Sequence, residues 1–270
     1  MSDDFQPNLE AYFARIGYHG PRTPTRATLD GILIAHASSI PFENIDVLLG
    51  RGVSLDPAAI EQKLLHARRG GYCFEQNSLL LRVLVALGFA VTPLSARVRW
   101  QRPREVMPPR THLFLRVTID GEFWMADVGM GATSLTSSIR YDVPGEQSTR
   151  HEPRRFIYED GRRFYQIRYG DEWHDLFEYT GEEMPPIDRE LGNWFTSTHP
   201  QSHFRQHLMV ARATEHGRIS LSDRELTTRR KDGTSQKREI NRAAELLDVL
   251  AEQFELRLPN ETHFEQLQFP

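Results

Sequence analysis

The chain has 270 residues, 39% of them hydrophobic and 26% charged, with a formal net charge of −4 and one cysteine. This composition excludes a disordered chain, and the acidic balance argues against a nucleic-acid or anionic-membrane binder, which needs a basic surplus to displace counterions. A single cysteine forms no internal disulfide, Met1-Ser2-Asp3-Asp4 lacks the basic start and apolar run of a signal peptide, and no stretch approaches a membrane span, so a cytoplasmic protein is expected.

Up to residue 88 the periodicity is helical. Asn8 to Ile16 is a short amphipathic run ended by Gly17, and the segment 27–38 sets Leu29, Ile32, Leu33 and His36 on one stripe before Pro41 closes it. Asp56-Pro57 is a helix start, an N-cap acid followed by proline, for a helix to about Arg68, broken at Gly70-Gly71. A further helix opens at Cys73 and carries Leu79, Leu80, Val83, Leu84 and Leu87 as far as Gly88. The period then changes to two. Strands are expected over 90–100, 111–119, 122–128, 156–159, 163–169 and 173–179, with hairpin signals at Asp120-Gly121, Asp160-Gly161 and Gly170-Asp171. Two further strands around 207–213 and 218–226 lead past Asp232-Gly233 to a last helix over 242–254. The order implies an α+β chain in three parts that share interfaces: helices over 1–88, a β-barrel or sandwich over 89–190, and a small mixed unit over 191–270.

Cys73 is the residue whose surroundings suggest chemistry. A lone cysteine is ordinarily an inert buried hydrophobe. This one follows Gly70-Gly71 and opens a helix, where the dipole and free backbone N–H groups stabilise a thiolate. A thiol nucleophile needs a base, and the base an orienting group. If Asp120-Gly121 is a two-residue hairpin turn, facing residues sum to 241, so His112 faces Gly129 and Phe114 faces Asp127. His112 and Asp127 are then diagonal neighbours on one face. The other face carries Leu113, Leu115, Val117 and Ile119 against Trp124, Ala126 and Val128, an apolar set suited to a core.

The runs Arg69-Gly70-Gly71-Tyr72-Cys73-Phe74-Glu75-Gln76-Asn77, Thr111-His112, Asp127-Val128-Gly129-Met130-Gly131, Ile40-Pro41-Phe42-Glu43-Asn44 and Pro200-Gln201-Ser202-His203-Phe204 resemble, in order, the motifs of the arylamine N-acetyltransferases of prokaryotic type. The last sixty residues resemble the family more loosely. The resemblance implies an N-terminal helical bundle, a central antiparallel β-barrel and a C-terminal α/β lid around a cysteine-protease-like core. It implies a catalytic triad of Cys73, His112 and Asp127, with acetyl-CoA as acyl donor and small aromatic amines, hydrazines or N-hydroxyarylamines as acceptors, in a ping-pong reaction. No permanently bound cofactor and no metal are implied.

Phe42, Tyr72, Val98, Met130 and Phe204 match positions that line the family's acceptor pocket. Met130 stands where the family often has phenylalanine. Thr111, Gly129 and Gly131 are the expected donor contacts, and Gly129-Met130-Gly131 lacks the third glycine of a dinucleotide loop. Arg102, Arg104 and Arg110 precede His112 on a loop that could reach phosphates. Arg69 and Glu75 are expected to form a buried ion pair that holds the cysteine loop. Two other readings remain open: a papain- or transglutaminase-like cysteine hydrolase, and a ligand-binding protein without turnover.

Overall fold

A computed structural model describes residues 5–258, 262–264 and 267; Met1 to Asp4 lie outside it. Helix α1 spans Leu9–Ile16, with the Asn8 side chain accepting from the Ala11 N–H and Gly17 ending it in the left-handed region. Helix α2 spans Arg26–Ser39 and is capped by Thr25. After Pro41 come the two-residue strand β1 (Phe42–Glu43) and the short helix α3 (Ile45–Leu48). Helix α4 (Pro57–Glu61) starts at the Asp56 cap and widens into a π-helical turn over Gln62–His66. Helix α5 spans Cys73–Ala86.

Strands β2 (Ala90–Val98), β3 (His112–Ile119), β4 (Glu122–Ala126), β5 (Ile139–Arg140), β6 (Gly145–Gln147), β7 (Arg154–Glu159), β8 (Arg162–Tyr169) and β9 (Glu172–Tyr179) form one sheet. Its order is β5-β4-β3-β2-β9-β8-β7-β6, all pairs antiparallel, and it curls into a nearly closed barrel. The Gln147 side chain bridges the two edge strands: its Oε1 accepts from the Arg140 N–H at 2.7 Å and its Nε2 donates to the Arg140 carbonyl at 2.9 Å. Asp120-Gly121 and Asp160-Gly161 turn with both residues at positive φ, as a two-residue type I′ turn requires. The register Leu115–Ala126 and Val117–Trp124 is the one the turn implied.

Helices α6 (Pro186–Thr198) and α7 (His203–Gln206) lead to β10 (Met209–Thr214), β11 (Gly217–Ser222), β12 (Glu225–Arg230), β13 (Ser235–Glu239) and helix α8 (Ala243–Phe254). Their sheet runs β1-β10-β11-β12-β13, so a strand from the helical region forms its edge. The run 218–226, expected as one strand, is cut by Asp223 at φ +51° into the β11–β12 hairpin. Strand β13 carries no apolar alternation, because every one of its residues is exposed. Helix α6 had no readable stripe: its buried face is Gly192, Asn193, Thr196 and Ser197, while Ile187, Leu191 and Trp194 face solvent. Among the described residues no helix is long and apolar enough to cross a membrane.

The β3–β4 hairpin is a wall shared by two cores. Leu115, Val117, Ile119, Trp124, Ala126 and Val128 pack on the helices with Leu29, Ile32, Leu80 and Val83. On its other side Phe114 and Met125 enter the barrel core with Tyr165, Phe177 and Tyr179. A third core joins β10, β11 and α8.

Candidate active site

The segment before Cys73 is pressed against Pro41, Glu43 and the first turn of α5 so closely that only glycine fits. A Cβ on Gly70 would lie 2.1 Å from the Pro41 carbonyl oxygen, and one on Gly71 would lie 2.7 Å from Glu75 Oε2. The Gln76 amide donates to both the Pro41 and Gly71 carbonyls, at 3.0 and 2.9 Å, and its Oε1 accepts from His36 Nε2 at 2.8 Å. Tyr12 donates its hydroxyl to His36 Nδ1 at 2.9 Å, and burial pushes the His36 imidazole down to about 4, so this ring is a neutral link in the chain.

Half-buried Arg69 and buried Glu75 both form ion pairs, but not with each other. Glu75 Oε2 turns back to the Tyr72 N–H at 3.0 Å, as an acid at the third helical position does, and its Oε1 meets Lys63 Nζ at 2.7 Å. Arg69 binds Glu43 at 2.7 Å and Asp46 at 3.4 Å, and Lys63 also reaches Asp46 at 2.8 Å. The expected pair is thus a five-residue network that ties the π turn, α3 and the cysteine loop together. Lys63 belongs to none of the motifs, so sequence offered no signal for it.

Cys73 is the first residue of α5 and only 4% exposed. Its thiol lies 3.7 Å from the Thr111 carbonyl oxygen and contacts the His112 ring. His112 Nε2 lies 2.7 Å from Asp127 Oδ2, which leaves Nδ1 for the thiol. Asp127 Oδ1 accepts from Asn77 Nδ2 and from the Gly129 N–H, each at 2.9 Å. Burial works against a charged His112, but the Asp127 charge, its hydrogen bond and then Cys73 outweigh it and push the imidazole up to about 10. The cluster is built to hold an imidazolium beside a thiol.

Asn77, from the same helix as Cys73, holds Asp127 and the backbone on either side of the His112–Asp127 pair. Its Nδ2 also donates to the Leu113 carbonyl at 2.6 Å, and its Oδ1 accepts from the Val128 N–H at 3.1 Å. The signal was its spacing: four residues after Cys73 on a helix, it lies one turn along the same face. Gly129 makes the opposing approach. A Cβ there would sit 2.6 Å from Cys73 Cα and 2.6 Å from Asn77 Nδ2.

Phe42 and Tyr72 share one buried cluster with Cys73, and half-buried Phe204 packs against it, 5.8 Å from Tyr72 and 6.1 Å from Phe42 between ring centroids. Gly131 faces the Phe42 ring across 3.5 Å from where its Cβ would be. Met130 is half-buried, packs on the barrel core and has its N–H bonded to Ser134 Oγ. Val98 lies at the end of β2 opposite Phe177, whose ring stands 5.1 Å from His112. The Gly129 N–H is committed to Asp127 and the Thr111 carbonyl to the thiol. Arg104 is taken up by Asp175 at 2.7 Å and Glu159, and Arg110 stands 3.5 Å from Glu182.

A sequence model of the N-acetyltransferase family matches residues 25–263. The arylamine N-acetyltransferase of Mycolicibacterium smegmatis is 42% identical over 255 residues, 93% of this chain and 92% of that protein. The arylamine N-acetyltransferase / N-hydroxyarylamine O-acetyltransferase of Salmonella typhimurium is 36% identical over 256 residues, 94% of this chain and 91% of its own length. The structure of the Mycobacterium marinum arylamine N-acetyltransferase in complex with CoA superposes with a TM-score of 0.91 at 36% identity, covering 96% of this chain and 97% of that one. On motif, length and fold together, the chain belongs to the arylamine N-acetyltransferase family.

Proposed function

We propose that this enzyme moves an acetyl group from acetyl-CoA to the nitrogen of arylamines or arylhydrazines, or to the oxygen of N-hydroxyarylamines, through an acetyl-Cys73 intermediate. The observation that carries the reading is a buried thiol at a helix start, against a histidine whose far nitrogen is held by a buried carboxylate. The Cys73 thiolate attacks the thioester carbonyl carbon, a new S–C bond forms, and the S–C bond to CoA breaks. The departing CoA thiolate takes the proton from His112. The amine then attacks the acetyl-Cys73 carbonyl and passes a proton to His112, and cleavage of the S–C bond restores the thiolate–imidazolium pair. Asp127 keeps the ring oriented and stabilises its charge. First-turn N–H groups of α5 are the nearest candidates for the oxyanion.

Splitting the transfer suits a neutral aromatic amine, a modest nucleophile. Phe42, Tyr72 and Phe204 offer aromatic edges and faces to a flat acceptor, with Val98 and Met130 as the remaining wall, while the 111 and 129–131 backbone flanks the donor's approach. A cysteine hydrolase would share the triad but needs an open peptide groove, which this aromatic cover over Cys73 disfavours. Alkylation tests the reading: acetyl-CoA should protect Cys73 from iodoacetamide and release one equivalent of CoA thiol. Equal labelling with and without donor would overturn it.

A further inference from the structure

The wall of the barrel behind His112 carries an unassigned cavity. Ala96 is the cross-strand partner of His112 and lies in the barrel core; its neighbour Arg97 therefore projects from the opposite face of β2. There a cavity of about 200 Å³ opens between the 99–110 loop and strands β2, β8 and β9, lined by Arg97, Met107, Arg110, Arg162 and Glu178.

Positive charge is in excess around it. Glu178 Oε2 already accepts from Arg99 Nε and Arg162 Nη1, each at 3.0 Å. Arg110 faces Glu182 at 3.5 Å, and Glu182 is half-exposed and also accepts the Thr180 hydroxyl. Arg97 donates to the Pro108 carbonyl at 2.7 Å and makes no ion pair among the described residues. Four guanidiniums thus meet two carboxylates. Burial, then the charges of Arg110 and Arg99, lower the proton affinity of Arg97, with Glu178 and Glu182 offsetting only part of this. An anion between Arg97 and Arg110 would relieve that crowding. Planar guanidinium forks match phosphate oxygens in pairs, and the volume falls below the roughly 300–1,000 Å³ that encloses a whole drug-sized ligand.

The geometry points to an anion site here: the cavity takes a phosphate or diphosphate group, held by Arg97 and Arg110 with Arg162 beside them. Arg110 adjoins Thr111, whose carbonyl touches the Cys73 thiol, so occupancy bears on the strand end that carries the nucleophile's contact. The phosphates of the acyl donor are one source of the ligand and a separate small phosphate compound is the other. The first of these rests on the acetyl-CoA reading, whereas binding of phosphate itself does not.

The test is calorimetric titration with inorganic pyrophosphate at constant ionic strength, on wild type, Arg97→Gln/Arg110→Gln and Arg110→Gln alone, each with its folding checked by thermal unfolding. Wild type should bind, and the double variant should bind about tenfold more weakly or worse. The donor arm compares acetyl-CoA with S-acetylpantetheine, which has no phosphate. A KM raised about tenfold for acetyl-CoA alone, with kcat held, assigns the cavity to the donor's phosphates. Lost pyrophosphate binding with both KM values unchanged assigns it to a separate ligand. Pyrophosphate that binds no better than chloride at matched ionic strength, or equally well to the folded variants, overturns the proposal. Failure of Cys73 to accept acetyl from either donor would count against the proposed function and leave the binding result standing.

Discussion

Asn77→Ala removes a clamp without touching the nucleophile, the base or the acid. It leaves the Leu113 carbonyl, one Asp127 oxygen and the Val128 N–H each short of a partner at a buried site. An unsatisfied buried group costs about 1–3 kcal/mol. The Gly129 N–H remains on the same Asp127 oxygen, so the other two groups make a total of roughly 2–6 kcal/mol, or a fall in Tm of roughly 4–12 °C for a chain of this size. Freed of Asn77, Asp127 no longer fixes the His112 ring, and the first turnover should slow by about two orders of magnitude or more. Asn77→Asp is nearly isosteric and sets a second carboxylate against Asp127, where like charges raise one pKa, so its activity should recover partly as pH falls. Urea unfolding gives the stability, and the burst of nitrophenol from p-nitrophenyl acetate gives the first turnover. Asn77→Ala within 1 kcal/mol of wild type, with a burst rate within about threefold, would refute the clamp.

Gly129→Ala should be nearly inactive, because its Cβ would meet Cys73 Cα, a backbone atom with nowhere to go; an active, equally stable variant would show that the loop can retreat. Two histidines contribute to the pH dependence of stability with opposite signs. His112, raised to about 10, favours the fold fully below the unfolded value near 6.5 and loses that contribution as pH climbs through 10. His36, lowered to about 4, favours the fold above 6.5 and loses that contribution as pH falls through 4. The urea midpoint should therefore decline on both sides of about pH 6.5, and His36→Gln should flatten the acid side; an unchanged acid slope in that variant would exclude His36. Met130→Phe should reorder arylamine and arylhydrazine acceptors by several-fold, since an aromatic contact is worth about 0.5–1.5 kcal/mol, while acetylation of Cys73 stays unchanged. An unaltered ranking would take Met130 out of the acceptor wall.

The parts of this molecule written in local pattern were legible from sequence. The Asp120-Gly121 turn fixed the register that carries His112 and Asp127 to one end of a hairpin, and its apolar face packs on the helices as alternation required. What stayed hidden depends on long-range partners or on inverted patterns. Helix α6 turns glycine, asparagine and hydroxyl side chains inward because its neighbours approach closely: a Cβ on Gly192 would meet Phe74 at 2.7 Å. Strand β1 is two residues long and takes its identity from pairing with β10, 167 to 169 residues away in sequence. Lys63 and Asp46 join the cysteine loop only through folding, so Arg69 and Glu75, close in sequence, suggested a pair that geometry does not make. The Arg104 and Arg110 loop read as one basic stretch, whereas the structure neutralises the first and leaves the second facing a cavity.

The central claim is that acetyl passes through Cys73. Intact-mass analysis of the protein after a brief pulse of acetyl-CoA, followed by an arylamine chase, measures this directly. One acetyl group should appear on the peptide containing Cys73, leave within the chase, and be absent from Cys73→Ser. Acetylated amine formed at full rate with no adduct on Cys73, or with Cys73→Ser still active, would contradict the account.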